Sequence, residues 1–87
     1  MKILTKIEEK SDEGFLALIG QTITVFCMNY IWTGELVGVN DSQIKLANPK
    51  LVFETGAFNT KEWKDAQALP SDFYIRLSAV EAYGVLK

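Results

Sequence analysis

The sequence predicts an all-β fold with a short N-terminal helix: a small, bent, five-stranded antiparallel barrel with an inserted segment between strands three and four. Three observations predict it. Residues 21–27 are β-branched and aromatic and alternate as half-buried strands do, and 73–77 reads as another strand. Gly34 and Gly38 interrupt a longer strand-like run over 30–39, where glycine marks a bulge or a close backbone approach. At 87 residues the chain holds one domain, 1–87, and buries only a modest core of its own.

The elements follow in order. Residues 1–10 mix Ile3, Leu4 and Ile7 with Lys and Glu and are compatible with an edge strand, part of a helix or an arm. Residues 11–20 predict the helix. Ser11 or Asp12 caps it, Phe15, Leu16 and Ile19 share a face, and Gly20 ends it. Strands follow over 21–27 and 30–39, joined by a turn at Met28-Asn29, Asn being tolerant of positive φ. Asn40-Asp41-Ser42-Gln43 is a polar hairpin loop, and Ile44–Ala47 begins the third strand. Residues 48–71 form the insertion. Asn48-Pro49 turns the chain, 50–55 is strand-like, 56–59 turns again, and 60–69 favours a helix anchored by Trp63 and ended by Pro70. Residues 73–77 and 80–86 are the last strands, with Ser78-Ala79 as the corner between them.

Composition removes whole classes of function. The chain has no His and one Cys, so His-based triads, His metal sites, internal disulfides and Cys-only clusters are excluded. Cys27 has no His to activate it and is expected as a buried small hydrophobe. No phosphate loop or nucleophile elbow is present. The expectation is a non-enzymatic protein with no cofactor and no metal. No apolar run approaches a membrane span and the charged start lacks a signal-peptide centre, so no membrane partner and a cytoplasmic location are expected. The net charge of −2 argues mildly against wholesale phosphate binding. A hydrophobic content of 48% is high for so small a monomer, and points to apolar surface covered by a partner.

Two motifs carry a resemblance. Phe15–Gly20, then Ile23-x-Val25-x-Cys27, then Trp32-Thr33-Gly34-Glu35-Leu36-Val37-Gly38-Val39-Asn40 resemble the first signature of the Sm/LSm family, the RNA-associated ring proteins that include bacterial Hfq. Ile75-Arg76-Leu77-Ser78-Ala79-Val80 is similar to the second signature, Ile-Arg-Gly-x-x-Ile. Together they cover about half the chain in the family's order, and the chain also looks like small Sm-like proteins of phage-related genomes. The resemblance implies a single Sm-like (SH3-like) barrel over 1–87, with its insertion at about 48–71. It further implies a closed homo-oligomeric ring and binding of single-stranded RNA or DNA. The departures bear on the site. The family's stacking aromatic or His falls on Ser42, its base-reading Asn on Ile44, its Asp on Asn40, and the Gly after the Arg on Leu77.

The candidate nucleic-acid-binding residues are therefore Asn40, Asp41, Ser42, Gln43, Arg76 and Ser78. Arg76 leads, because a guanidinium stacks on a base or pairs a phosphate. Its plain alternative is an ion pair with Glu81 or Asp72. The hairpin's amides and hydroxyl suit base edges, but equally the local hydrogen bonds of a turn, and Asp41 repels phosphate. Lys45, Lys50, Lys61 and Lys64 would repeat around a ring as a circle of positive potential, or serve solubility alone. Tyr30, Trp32, Phe53, Trp63, Phe73 and Tyr83 suit base stacking, but are expected mainly in the core or a subunit interface. The acidic cluster Glu8, Glu9, Asp12 and Glu13 is expected as a solvated helix start. The competing expectation is an SH3-like oligomeric module that docks a protein partner through residues 48–71.

Overall fold

The computed structural model describes residues 13–87. A four-residue 3-10 turn, Phe15–Leu18, precedes one antiparallel sheet of six strands: β1 (Thr22–Cys27), β2 (Ile31–Val39), β3 (Gln43–Glu54), β4 (Asp65–Ala68), β5 (Phe73–Arg76) and β6 (Val80–Gly84). The sheet order is β4-β3-β2-β1-β6, with β5 also paired to β3. The N-terminal helix thus reduces to a 3-10 turn, and its expected caps Ser11 and Asp12 lie outside the described residues, as do residues 1–10.

The sheet is all β as expected, but with six strands rather than five, and it is not closed. Two of the six come from the insertion and its neighbour. Residues 44–47 and 50–55 are not two strands divided by a turn. They belong to one strand, β3, that runs through Asn48-Pro49 as a bulge. Thr33 pairs with Lys50 and Glu35 with Ala47, so Gly34 alone faces Asn48 and Pro49. Asn48 adopts φ 49°, a left-handed conformation that Asn tolerates. Pro49 has no N–H to give to a ladder and is accommodated at the bulge, while its carbonyl accepts from Leu69 N at 2.9 Å.

The helix expected over 60–69 does not form. Residues 65–68 pair with β3, from Lys50↔Ala68 to Glu54↔Asp65. Ten residues of good helix formers are too few to hold a helix alone, and β3 offers an unpaired edge that satisfies the same backbone groups. Thr60, expected as the helix cap, instead donates Oγ1 to Ala57 O at 2.8 Å within a turn.

β5 pairs with the N-terminal half of the same strand, Gln43↔Arg76 to Leu46↔Phe73. β4 and β5 thus lie end to end along one side of β3. Among the described residues, together they flank β3 at one end of the strand order, and β6 stands at the other. A second 3-10 turn, Leu77–Ala79, carries the chain from β5 to β6.

The core gathers Phe15, Ile23, Val25, Leu36, Ile44, Leu46 and Ile75, drawn from the first turn, β1, β2, β3 and β5. Trp32 and Phe73 expand it, their rings 5.6 Å apart, and Tyr83 stacks on Phe15 at 3.7 Å. These aromatics serve packing.

Candidate nucleic-acid interface

The hairpin loop between β2 and β3 is built by Asn40. Its side-chain Oδ1 accepts from Ser42 N and Gln43 N, both at 2.9 Å, and from Ser42 Oγ at 3.3 Å. Asn40 N closes the loop onto Gln43 O at 3.0 Å. This is the Asx-turn chemistry of a short polar loop. The position where the resemblance places the family's Asp is therefore spent on shaping the hairpin, and its carbonyl oxygen is not available to a base.

The hairpin is tied to the second motif. Leu77 N donates to Ser42 O at 2.9 Å, and Gln43 lies opposite Arg76 in the β3–β5 ladder. Asp41, Ser42, Gln43, Arg76, Leu77 and Ser78 consequently line one open depression of about 410 Å³. The structure brings together five of the six residues singled out from sequence, although they lie more than thirty positions apart in the chain. Asn40 is the exception. It lines a neighbouring cavity of about 860 Å³ with Phe15, Val39 and Val80.

Strand alternation aims these side chains. In β5, Ile75 is buried, whereas Tyr74 and Arg76 are exposed on the opposite face. Arg76 makes no ion pair among the described residues: Asp72 pairs with Lys45 instead, at 3.7 Å. The ion pair with Asp72 or Glu81, the plain explanation of Arg76, is thus absent among the described residues, and Arg76, with five N–H donors, is exposed and lines the depression.

Ile44, at the family's base-reading position, is only 1% exposed and belongs to the core. Ser42 is exposed but carries no π face. Leu77, in place of the family's Gly, has no left-handed backbone to strain it. It opens the 3-10 turn and packs against the core.

The lysines are partly neutralised. Besides Lys45, Lys64 pairs with Glu54 at 3.4 Å, both ends exposed. Cys27 is half-buried. Burial, and then the Glu81 carboxylate, push its thiol above its ordinary pKa, the opposite of what a nucleophile needs.

Sequence reasoning passed over Tyr74. It is 58% exposed, lies on the same face as Arg76, and holds Lys45 Nζ 5.5 Å from its ring centroid. Counting two residues back from Arg76 would have found it.

The chain matches no family model, no curated protein and no solved structure. Among the described residues no helix is long and apolar enough to cross a membrane.

Proposed function

We propose that this chain is a non-enzymatic, cytoplasmic, ring-forming Sm-like protein that binds single-stranded RNA, or DNA, through the depression around Arg76. The observation that carries this is the convergence of Asp41, Ser42, Gln43, Arg76 and Ser78 on one open surface, with Arg76 free of any ion pair among the described residues. Fold supports it in outline. A 3-10 turn precedes an antiparallel sheet with register shifts along its ladders, and a short turn follows the Arg-bearing strand.

Assembly would use the two ends of the strand order. The β4–β5 side and β6 stand at opposite ends of one open sheet among the described residues. Contact between one subunit's β6 side and the next subunit's β4–β5 side would be heterologous, the kind of contact that closes into a ring. Each ring would then repeat Arg76 around one opening, and no bond-making chemistry is required.

Fluorescence anisotropy with short labelled U-rich, A-rich and mixed RNA and DNA, at two salt concentrations, tests this. Micromolar or tighter binding that weakens with salt is expected, together with a loss of about tenfold in Arg76→Ala at unchanged assembly. Unchanged affinity in an assembled Arg76→Ala protein would remove the site assignment.

A second function, a protein-docking module, draws on the β3–β4 hairpin. Phe53 and Phe58 stand more than half exposed there, on a chain of pI about 5.0. No nucleic-acid binding even at low salt, with a specific protein captured and then lost when residues 56–64 are shortened, would favour it.

A further inference from the structure

The tip of the β3–β4 hairpin holds a cation site made of backbone oxygens, and the chain fills it from within. Lys87 Nζ donates to the carbonyl oxygens of Thr55 at 2.7 Å, Ala57 at 2.9 Å and Glu62 at 2.9 Å. An ammonium group has three N–H donors, so three acceptors satisfy it. Thr60 Oγ1 stands 3.4 Å away. The Trp63 ring centroid lies 4.6 Å from the nitrogen, within the roughly 6 Å reach of cation–π attraction. No carboxylate takes part in the site among the described residues.

The loop is shaped for this. Gly56 adopts φ 68°, with Lys64 Cβ 3.2 Å from where its own Cβ would stand, and so turns the chain tightly between Thr55 and Ala57. Thr60 ties the far side, donating its backbone N–H and Oγ1 to Ala57 O at 3.2 and 2.8 Å. Several oxygens are thereby held pointing at one place. The Thr55 contact is part-buried and the Ala57 and Glu62 contacts are exposed, so the ammonium takes the place of water on oxygens already aimed at one point.

We infer that the Thr55–Trp63 loop is a receptor for a primary alkylammonium, the butylammonium head of a lysine side chain. Lys87 is its resident ligand, and the loop accepts the same group from another molecule when Lys87 is absent. Recognition rests on N–H donation to carbonyls as well as on the π face, so a quaternary ammonium of the same charge is rejected. The site is separate from the Arg76 depression and does not depend on nucleic-acid binding.

The test is a titration of the Lys87→Ala chain with n-butylammonium chloride, followed through the Trp63 indole N–H resonance. That resonance is assigned by its loss in Trp63→Phe. A saturable shift is expected, with tetramethylammonium weaker by about tenfold or more. The wild-type protein is expected to stay silent over the same range, because its own ammonium is present at high effective concentration. No saturable shift in the variant, or an equal response to tetramethylammonium, overturns the inference. A second measurement stands apart from whether the emptied loop keeps its shape. In limited acetylation of the wild-type protein read by mass spectrometry, Lys87 should react about tenfold more slowly than exposed Lys61, because its three hydrogen bonds must first break. Equal rates would overturn the proposal.

Discussion

Gly34→Ala tests whether the bulge in β3 dictates the glycine opposite it. A Cβ at position 34 would stand 3.1 Å from Ala47 O, 3.1 Å from Pro49 Cα and 3.2 Å from Leu46 Cβ. Two of those three neighbours are backbone atoms, pinned by the β2–β3 ladder on either side of Asn48-Pro49. They cannot swing aside as the end of a flexible side chain could. Forcing one extra carbon into a packed interior costs about 1–3 kcal/mol, and replacing Gly in a strand returns about 0.5–1 kcal/mol of backbone entropy. The difference spans about 0–2.5 kcal/mol and centres near a loss of about 1 kcal/mol, which for a domain of this size lowers Tm by about 4–8 °C. Urea and thermal unfolding followed by circular dichroism measure it. Gly84→Ala is the control: nothing lies within 4 Å of its Cβ position, and its stability should stay within about 0.5 kcal/mol of wild type. Equal stability of the two variants would refute the steric account of Gly34.

Thr24 and Thr33 face each other across β1 and β2, and both are buried, yet their hydroxyls differ. Thr33 Oγ1 donates to Ile23 O at 2.9 Å, whereas Thr24 Oγ1 has no partner among the described residues. Thr24→Val should raise the urea midpoint by the equivalent of about 1 kcal/mol, and Thr33→Val should lower it by about as much; the reverse order would contradict the hydrogen-bond assignment. Burial and Glu81 both favour the neutral Cys27 thiol, so its alkylation should be slower than that of an unfolded-chain Cys at pH 8, with a rate profile displaced to higher pH. Glu81→Gln removes the anion and should move that profile back toward lower pH, and a shift upward would show the sign to be wrong. Asp41 is the one carboxylate lining the depression of Arg76; under the proposed function, Asp41→Asn should tighten single-stranded RNA binding by about two- to tenfold at low salt, with the gain fading at high salt. An unchanged affinity at both salts would place the bound strand away from Asp41.

Much of the sheet was legible in the sequence because its signals are local. The alternating strand at 21–27, the strand at 73–77, the polar loop 40–43 and the corner at 78–79 are each properties of a few neighbouring residues, and all of them appear close to where expected. The two motifs also nominated a set of candidate residues, and five of the six converge. Asn40 does not, because the side chain that suits a base edge suits its own hairpin first, and the local hydrogen bonds are nearer.

What the sequence by itself determined is the β class, the hairpin loop at 40–43 and the corner at 78–79, the absence of His and internal-disulfide chemistry, and the choice of Arg76 as the residue to watch. Tertiary structure decided the rest. The composition of 60–69 favours a helix, but 65–68 are held as a strand because β3 had an edge to pair. Asn48-Pro49 reads as a turn, yet becomes a bulge because β2 continues alongside it on both sides. Gly34 and Gly38 look equivalent in the sequence. Only the first sits against backbone atoms, while the second has Lys45 Cβ at an ordinary 3.4 Å. The Lys87 ammonium and its carbonyl site are twenty-five or more residues apart in the chain, with no motif linking them. Each of these outcomes depends on which groups meet across the sheet, and that is set by long-range pairing rather than by any residue's own preference.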